Sequence, residues 1–306
     1  MHIKNRAIPN GIALAILLFV AVMPVLATSN IDHDVVGQDA ANDTLITYPL
    51  SVSSDKTSAT VITPATADDG SLDSAPVTIT DSGVSHAGIA LTFDDRYIDD
   101  WYAIRPILQK YNAHATFFIT RPDRLDASQI SKLQILQQDG NEIAFHGLNH
   151  LDAQEYLKTH TVQEYLDIEI IPGIISLQNK GFTPVSFAYP YGHDDPALTQ
   201  ALQAHFEHIR DTAYSYNDMI YYQYGSNQPF IAGIGIDEYY GNTLTNIYNG
   251  ISKAKNEDKI IIFYGHRPVA SDPDPALYET SHEKIDNILH YVSENGMNTY
   301  TISEIH

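Results

Sequence analysis

Short apolar runs alternate with longer helical patterns from residue 88 to the end of this 306-residue chain, and this alternation constrains the fold more than any other feature. The apolar runs predict buried strands at 89–93, 115–119, 142–145, 185–188, 231–236, 260–264 and 299–302. The stretches between them predict helices at 101–111, 128–138, 162–179, 196–205, 244–256 and 281–294. Buried strands separated by helices indicate βα units and a parallel sheet. Seven such units in about 215 residues favour a barrel over an open sheet.

The first 27 residues have the pattern of an export signal. Lys4 and Arg6 form a positively charged head, and residues 12–26 form an uncharged, mostly apolar run. Val25-Leu26-Ala27 then supplies the small residues that a signal peptidase requires. The alternative is an uncleaved membrane anchor, because the apolar run is only slightly shorter than a spanning helix. Both interpretations predict that the rest of the chain is secreted or associated with the cell surface.

Residues 28–85 differ in composition from the segments on either side. They are rich in Ser, Thr, Asp, Ala and Pro, and Lys56 is the only Lys or Arg among nine Asp. This composition, with its poor periodicity, predicts a flexible, disordered linker or stalk. The expected organisation is a signal peptide or anchor in 1–27, a linker in 28–85 and one folded domain in 86–306.

Charge and cysteine content exclude several classes of partner and site. The chain has 17 Lys and Arg against 38 Asp and Glu, a formal net charge of −21. Binding to a phosphate backbone needs clusters of Lys or Arg, so no nucleic-acid partner is expected. Because the sequence has no cysteine, disulfides and thiolate metal sites are excluded. Any metal must therefore be bound by His, Asp or Glu.

Polar residues follow several of the predicted strands, and in βα proteins the ligand site lies at the carboxyl ends of the strands. The four polar segments are Asp94-Asp95, His146-Gly147-Leu148-Asn149-His150, Tyr189-Pro190-Tyr191-Gly192 and Gly265-His266-Arg267-Pro268. They bring two carboxylates and three imidazoles to one end of the predicted barrel. Burying a charge without a partner costs several kcal/mol, which favours a cation at this end.

The alternative is a structural polar cluster without a metal. Asp-Asp occurs four times in the chain, and 14 histidines make a chance His-x-x-x-His pair common. His266 taken alone also fits a hydrogen-bonded core histidine. The position of these residues directly after apolar strands distinguishes them from the other acidic and histidine-containing segments, but placement alone leaves both interpretations open.

The same segments resemble the motifs of the polysaccharide deacetylase family, carbohydrate esterase family four. Leu91-Thr92-Phe93-Asp94-Asp95 resembles the first motif, usually Thr-Phe-Asp-Asp-Gly, and the segment 146–150 resembles the second, His-(Ser/Thr)-x-x-His. Phe187-Ala188-Tyr189-Pro190-Tyr191-Gly192 resembles the third motif, and Phe263-Tyr264-Gly265-His266 resembles the last. The motifs occur in the family's order, and the resemblance runs from about residue 88 to 303.

The resemblance implies a distorted (β/α) barrel with fewer than eight full units and a divalent metal held by Asp95, His146 and His150. Two imidazoles and one carboxylate leave a coordination position open, as in catalytic zinc sites. Histidines at i and i+4 share one face of a helical turn, so both can reach one ion. Zinc is the first expectation, but such a set also accepts cobalt, nickel or iron.

The resemblance also implies the catalytic roles. Asp94 would be the general base, His266 the general acid, and the backbone N–H of Tyr191, after Pro190, an oxyanion donor. The Tyr191 ring is also a candidate stacking surface for a sugar. The alternative for this side chain is a core aromatic with a satisfied hydroxyl.

Two positions depart from the family pattern. Arg96 stands where the first motif normally has Gly, and Ala188 stands where the third motif has an Arg that pairs with the catalytic base. Arg210 is a candidate to supply that charge from a neighbouring strand. The alternative is an ordinary surface ion pair between Arg210 and Asp211.

The expected function is metal-dependent hydrolysis of N-acetyl groups on a surface or extracellular polysaccharide. One alternative is a catalytically inactive carbohydrate-binding relic, suggested by Ala188 and by the missing fourth motif, an Asp with a Trp nearby. Asp237-Glu238 follows a strand in the corresponding region, but no Trp is near it in sequence. The presence of both Asp94 and His266 argues against a relic. Another alternative is a metal-dependent esterase or amidase for another substrate.

Overall fold

A computed structural model describes residues 84–213, 217 and 219–305, together with the backbone of seven short strands within 35–80. These short strands pair antiparallel: Val35–Gln38 with Leu45–Tyr48, Ser51–Val52 and Pro76–Thr80 with Ser58–Ile62, and Ala65–Thr66 with Leu72–Asp73. The predicted signal peptide lies outside the described residues, and the predicted linker in 28–85 stays a prediction. No helix in the described part of the chain has the length and hydropathy needed to cross a membrane.

Seven parallel strands close into a barrel within the compact unit Val84–His306. They are β1 Gly88–Asp95, β2 Ala115–Ile119, β3 Glu142–Phe145, β4 Ser186–Ala188, β5 His208–Ala213, β6 Phe230–Gly235 and β7 Ile260–Gly265. Each strand pairs with the next, and β7 pairs with β1. The predicted (β/α) barrel of about seven strands is confirmed.

Two strands differ from the prediction. The ring contains β5, which was not among the predicted strands because Ile209 is its only large aliphatic residue. The run expected at 299–302 is instead Asn298–Tyr300 and lies outside the ring. It pairs with residues 88–90 of β1, below the level at which β2 begins to pair with Leu91. A further strand, Tyr221–Tyr222, runs antiparallel to β7.

Helices surround the ring, and two of the predicted ones are interrupted. The α-helices are Ile98–Ala103, Arg105–Lys110, Ala127–Gln138, Ala153–Tyr156, Val162–Tyr165, Ile171–Gln178, Pro196–Leu202, Leu244–Asn256 and His282–Glu294. The helix expected at 101–111 is divided at Ile104. The one expected at 162–179 contains one π-helical turn, Leu166–Ile170. Pro172 follows this turn and has no N–H to continue the α-helical pattern.

Alternate residues of the strands pack into two separate cores, as the twofold repeat of a strand requires. Leu91 and Phe93 belong to the core between the ring and the helices, whereas Ala90 belongs to a smaller core inside the ring. The inner core also contains Ala144 and Ala188. These small side chains leave room inside the barrel for a larger group near its carboxyl end.

Removal of residues 1–83 is expected to leave the fold and the activity of the barrel unchanged. The start of the barrel is held by contacts within residues 84–306. The Asp258 carboxylate accepts hydrogen bonds from the Ser85 hydroxyl and from the N–H groups of His86 and Ala87. A protein beginning at Val84 keeps these bonds, and one beginning at Gly88 loses them. Thermal unfolding should therefore distinguish the two truncations. Loss of stability or activity in the protein that begins at Val84 would contradict the linker prediction.

Candidate active site

The three residues expected to bind a metal meet at the carboxyl ends of β1 and β3. Asp95 Oδ1 lies 3.3 Å from Nε2 of His150 and 3.9 Å from Nε2 of His146. The two Nε2 atoms are 3.3 Å apart. One ligand atom from each residue therefore lies within 4.8 Å of the other two. This arrangement directs two nitrogens and one carboxylate oxygen at a common point, as one bound cation requires.

A loop, rather than a helical turn, brings the two histidines together. Residues 147–150 form a bend in which Gly147 has a φ of 86° and His150 a φ of 61°. The expectation that the i, i+4 spacing reflects a helical face is therefore wrong. The left-handed backbone reverses the chain so that both rings reach Asp95. Asp95 itself has a φ of 83°, which interrupts the alternation of β1 and lets Asp94 and Asp95 line the same cavity.

Both imidazoles are in the form that binds metals. His146 Nδ1–H donates to the carbonyl of Ala188 over 2.8 Å, which leaves the lone pair of Nε2 facing Asp95. Burial lowers the pKa of His146. Burial, together with the neighbouring His146, lowers the pKa of His150 to about 4. Both rings are therefore neutral near pH 7.

Asp94 is a buried carboxylate paired with the buried guanidinium of Arg210. One Arg210 Nη–H group donates to Asp94 Oδ2, and the second oxygen, Oδ1, has no hydrogen-bond partner among the described residues. Burial works to raise the pKa of Asp94, but Arg210, with the nearby His146 and His266, holds it below its ordinary value. Asp94 is therefore ionised at neutral pH and has one oxygen available to accept a proton.

Strand register explains how Arg210 reaches Asp94. Ala188 on β4 and Arg210 on β5 are direct partners in the parallel pairing. Arg210 is 1% exposed, and its guanidinium lies between the rings of Phe118 and Tyr264, at 5.1 and 5.0 Å from their centroids. The small Ala188 leaves space for it inside the barrel. A surface ion pair with Asp211 is thus not what the structure contains: Arg210 contacts only the backbone carbonyl of that residue.

Arg210→Met is expected to lower the free energy of unfolding at neutral pH by about 3–5 kcal/mol, because it leaves the Asp94 carboxylate buried and unpaired. The depressed pKa of Asp94 stabilises the fold above the unfolded-state pKa, and this contribution is lost as the pH falls through the folded-state pKa. The deficit of the variant should therefore shrink in acid. Lys110→Met is the control, since its exposed surface pair with Asp286 should contribute little to stability. Equal losses in the two variants, measured by denaturant titration, would contradict the pairing.

His266 also lines the cavity and is fixed at three atoms. Its Nδ1–H donates to Oδ2 of Asp237 over 2.7 Å, and its backbone N–H donates to the other oxygen. Its carbonyl accepts the indole N–H of Trp101 over 2.8 Å. Burial works to lower the pKa of His266, but Asp237, with Asp94 and Asp95, outweighs it and raises the pKa to about 9. His266 is therefore protonated at neutral pH.

These groups line one cavity of about 490 Å³. Part of its lining, called the tyrosine wall below, consists of Tyr191, Tyr239, Tyr240, Tyr264 and Tyr278. Its lining includes Asp94, Asp95, His146, His150, His266, Tyr191, His193, Tyr239, Tyr240, Tyr264 and Tyr278. Tyr191 is 60% exposed and Tyr239 57%, so the interpretation of Tyr191 as a core aromatic is wrong. Pro190 begins the turn Pro190–Gly192, in which Tyr191 has a φ of 64° and places its ring 4.6 Å from that of His150.

Several residues of the site were not selected from the sequence. Asp237 lies two residues after the end of β6 and was considered only as a possible counterpart of the missing fourth motif. Trp101 stands 165 positions from the His266 carbonyl that it contacts, and no local pattern indicates that contact. Tyr239 and Tyr278 belong to two separate loops, and their rings meet at 4.4 Å only in the folded protein.

Comparison with known proteins finds a family model that matches part of the chain. Residues 82–207 match the family model described as polysaccharide deacetylase. The match contains the Asp94-Asp95, His146-to-His150 and Tyr191 segments, and it confirms the resemblance for the first three motifs. The last motif, at 263–266, lies beyond the matched residues. It also supports a hydrolase acting on carbon–nitrogen bonds. No curated protein matches the chain.

Solved structures with a similar fold include esterases, deacetylases and a pseudoenzyme. The peptidoglycan deacetylase PdaC from Bacillus subtilis has 19% identity over 72% of this chain and 90% of its own, with a TM-score of 0.47. A family 4 acetyl xylan esterase from Clostridium thermocellum has 19% identity over 71% and 89%, with a TM-score of 0.46. BA3943, a CE4 family pseudoenzyme from Bacillus anthracis, has 13% identity over 72% and 65%, with a TM-score of 0.47.

Proposed function

We propose that this chain, whose residues 82–207 match the polysaccharide deacetylase family, hydrolyses N-acetyl groups on a polysaccharide outside the cytoplasm with the help of a divalent metal. The observation that carries the proposal is the convergence of three kinds of group on one cavity. A set of metal-ligand atoms, an ionised carboxylate and a protonated imidazole all line it. A protein that only bound carbohydrate would need neither a base nor an acid, which argues against the inactive relic.

The donor set fits a divalent cation. His146 and His150 offer neutral imidazole nitrogens and Asp95 offers a carboxylate oxygen, the combination found in catalytic rather than structural zinc sites. The hydrogen bond from His146 to the Ala188 carbonyl fixes the ring orientation that such a site needs. When bound, the metal supplies Lewis acidity, which makes water more acidic and polarises the substrate carbonyl. Zinc, cobalt, nickel and iron all accept these ligands.

Asp94 is assigned the role of general base. Its Oδ2 is held by Arg210, so the carboxylate has a fixed orientation, while Oδ1 accepts the proton of the attacking water. The oxygen of that water bonds to the acetyl carbon. Arg210 keeps Asp94 ionised before the reaction and stays buried throughout.

His266 is assigned the role of general acid. Its Nδ1–H is held by Asp237, so the Nε2 proton is the one free to transfer to the amide nitrogen. Protonation allows the carbon–nitrogen bond to break, and the products are acetate and an amine. The backbone N–H of Tyr191 is assigned to the developing oxyanion.

The tyrosine wall favours a sugar as the substrate. Pyranose rings carry apolar C–H faces and polar hydroxyls, and tyrosine offers both an aromatic face and a hydroxyl. Tyr239 and Tyr278 form an exposed ring pair beside His266, and the Tyr191 ring packs edge-on against His150. A sugar ring between them would have aromatic contacts on both flanks of the reacting acetyl group.

Asp237→Asn is expected to move the alkaline limb of the pH profile of kcat/KM to lower pH. The Asp237 carboxylate is the main cause of the raised pKa of His266, about 9, and an amide cannot supply that charge. Since His266 acts in its protonated form, activity is lost as the pH rises through its pKa. Without Asp237 this loss should begin near or below the ordinary histidine value of about 6.5. An unchanged alkaline limb would remove His266 from the role of acid.

Acetate release from a matched set of substrates tests the proposed function. N-acetylglucosamine oligomers present acetyl amides, and acetylated xylan presents acetyl esters on a similar sugar backbone. The proposal expects acetate from the oligomers, with longer oligomers better because more sugar rings contact the tyrosine wall. Acetate release from the acetylated xylan alone would support the esterase alternative. Release from neither substrate would support the inactive carbohydrate-binding relic.

A further inference from the structure

Glu169 is a fully buried carboxylate that has no part in the mechanism above. Its two oxygens face the loop that carries His146 and His150. Oε2 accepts the backbone N–H of Asn149 over 2.8 Å and the side-chain amide of the same residue over 3.0 Å. Oε1 accepts the backbone N–H of Leu151 over 2.9 Å. The residues immediately before and after His150 are thus bound to one carboxylate.

The backbone around Glu169 also bonds to this loop. Pro172 has no N–H, so the Ile168 carbonyl lacks its usual α-helical donor and accepts the side-chain amide of Asn149 instead. The carbonyl of Glu169 accepts the N–H of Leu148 over 3.2 Å. Both carbonyls belong to the π-helical turn Leu166–Ile170, and such turns are frequent at functional sites.

The Glu169 carboxylate occupies the space beside Gly147 that a side chain at this position would need. A Cβ atom at this position would lie 2.4 Å from Oε1 of Glu169, and the φ of 86° also disfavours any side chain. The second motif that the sequence resembles has Ser or Thr here. In this chain a carboxylate from a separate helix occupies the space that a side chain within the loop would take.

We infer that Glu169 is a positioning residue for the candidate metal site, and this inference rests on the proposed metal-dependent function. By binding the N–H groups on either side of His150, it holds that residue in its left-handed conformation, with a φ of 61°. That conformation is unfavourable for a residue with a side chain unless its surroundings fix it. Three N–H donors bond to this carboxylate, and charge-assisted bonds of this kind are strong.

Glu169→Gln tests the inference with Zn²⁺ affinity and with amide hydrogen exchange of the metal-free protein. Gln has one acceptor oxygen, and its NH₂ group replaces the other, so a donor would face the N–H of either Asn149 or Leu151. The affinity for Zn²⁺, measured by competition with a chelator, is expected to fall about 10–100-fold, the usual loss when a residue supporting a ligand is changed. Exchange in residues 147–151 should become faster without metal.

Glu142→Gln is the matched control, because Glu142 is a half-buried residue of the same barrel whose carboxylate oxygen Oε1 is buried. It stands at the start of β3, at the opposite end from the site, and accepts hydrogen bonds from Thr116 and from the N–H of Ser303. This variant should lose stability but keep the Zn²⁺ affinity and the loop exchange of the parent. Asn149→Ala provides a second test in an exposed residue, should Glu169→Gln fail to fold, and should weaken Zn²⁺ several-fold.

The outcomes separate this inference from the proposed function. Parental Zn²⁺ affinity and parental loop exchange in Glu169→Gln, or in Asn149→Ala if only that variant folds, would overturn the role of Glu169 alone. An equal loss of Zn²⁺ affinity in the Glu142→Gln control would show that lower stability alone weakens metal binding. This result would also overturn the role of Glu169. A parent protein that binds no divalent metal would overturn both.

Discussion

Asp94→Asn should keep the fold and the bound metal but lose about 10²–10⁴-fold in kcat, the usual cost of removing a general base. An amide cannot take the proton of the attacking water, although it has nearly the same shape as the carboxylate. The metal ligands are separate from Asp94, because Asp95 rather than Asp94 faces the two imidazoles. Steady-state kinetics and metal analysis of the same preparation therefore measure two independent properties.

Asp99→Asn is the control for this variant. Asp99 belongs to another Asp-Asp pair of the sequence, but it is exposed and pairs with Lys132 on the surface. Its kcat and metal content should remain at the parental level. Near-normal turnover in Asp94→Asn would contradict the mechanism itself, and loss of metal in that variant would show that the two acids do not divide their roles as assigned.

His146→Ala and His150→Ala are each expected to abolish stoichiometric metal binding and, with it, deacetylation. Each substitution removes one of three ligand atoms, and the remaining imidazole and carboxylate form an incomplete set. His150→Ala should leave a more stable barrel than His146→Ala, because only His146 is fully buried and bonded to the Ala188 carbonyl. Metal content by elemental analysis and thermal unfolding distinguish the two effects.

Asp95→Asn should weaken metal binding without abolishing it, since the amide oxygen is a poorer ligand than a carboxylate. Added metal should therefore restore part of the activity. His290→Ala controls for unspecific loss of histidine, because His290 is exposed on the helix His282–Glu294, away from the cavity. Full metal occupancy in both His146→Ala and His150→Ala would exclude this site.

Most of the barrel was predictable because its strands are buried on both faces. Such strands appear as continuous apolar runs, and six of the seven ring strands were found in this way. β5 was not, since it carries Arg210 and Asp211 at its centre. β5 was therefore not predicted as a strand because of the same polar residues that make it part of the site. The helix interrupted at 166–170 was predicted as continuous although Pro172, inside the predicted range, is a local signal for a break in the α-helical pattern.

The residues of the candidate site were predictable where they follow a strand. Asp94, Asp95, His146 and His150 lie together as the strand-end rule requires, and Arg210 reaches Asp94 as the departure at Ala188 suggested. The helical explanation for the two histidines was wrong, because a short sequence does not reveal left-handed backbone. Trp101 and Glu169 act through hydrogen bonds to residues far away in sequence, and no spacing within the chain marks them.

The most direct test of a metal-dependent deacetylase is acetate release measured against metal content in one preparation of the purified protein. A strong chelator should remove the metal and abolish acetate release from N-acetylglucosamine oligomers, since the ligands bind metal reversibly. Titration with Zn²⁺, Co²⁺, Ni²⁺ or Fe²⁺ should then restore activity in proportion to occupancy, with a maximum at one ion per chain. Undiminished acetate release from the metal-free protein would contradict the central claim.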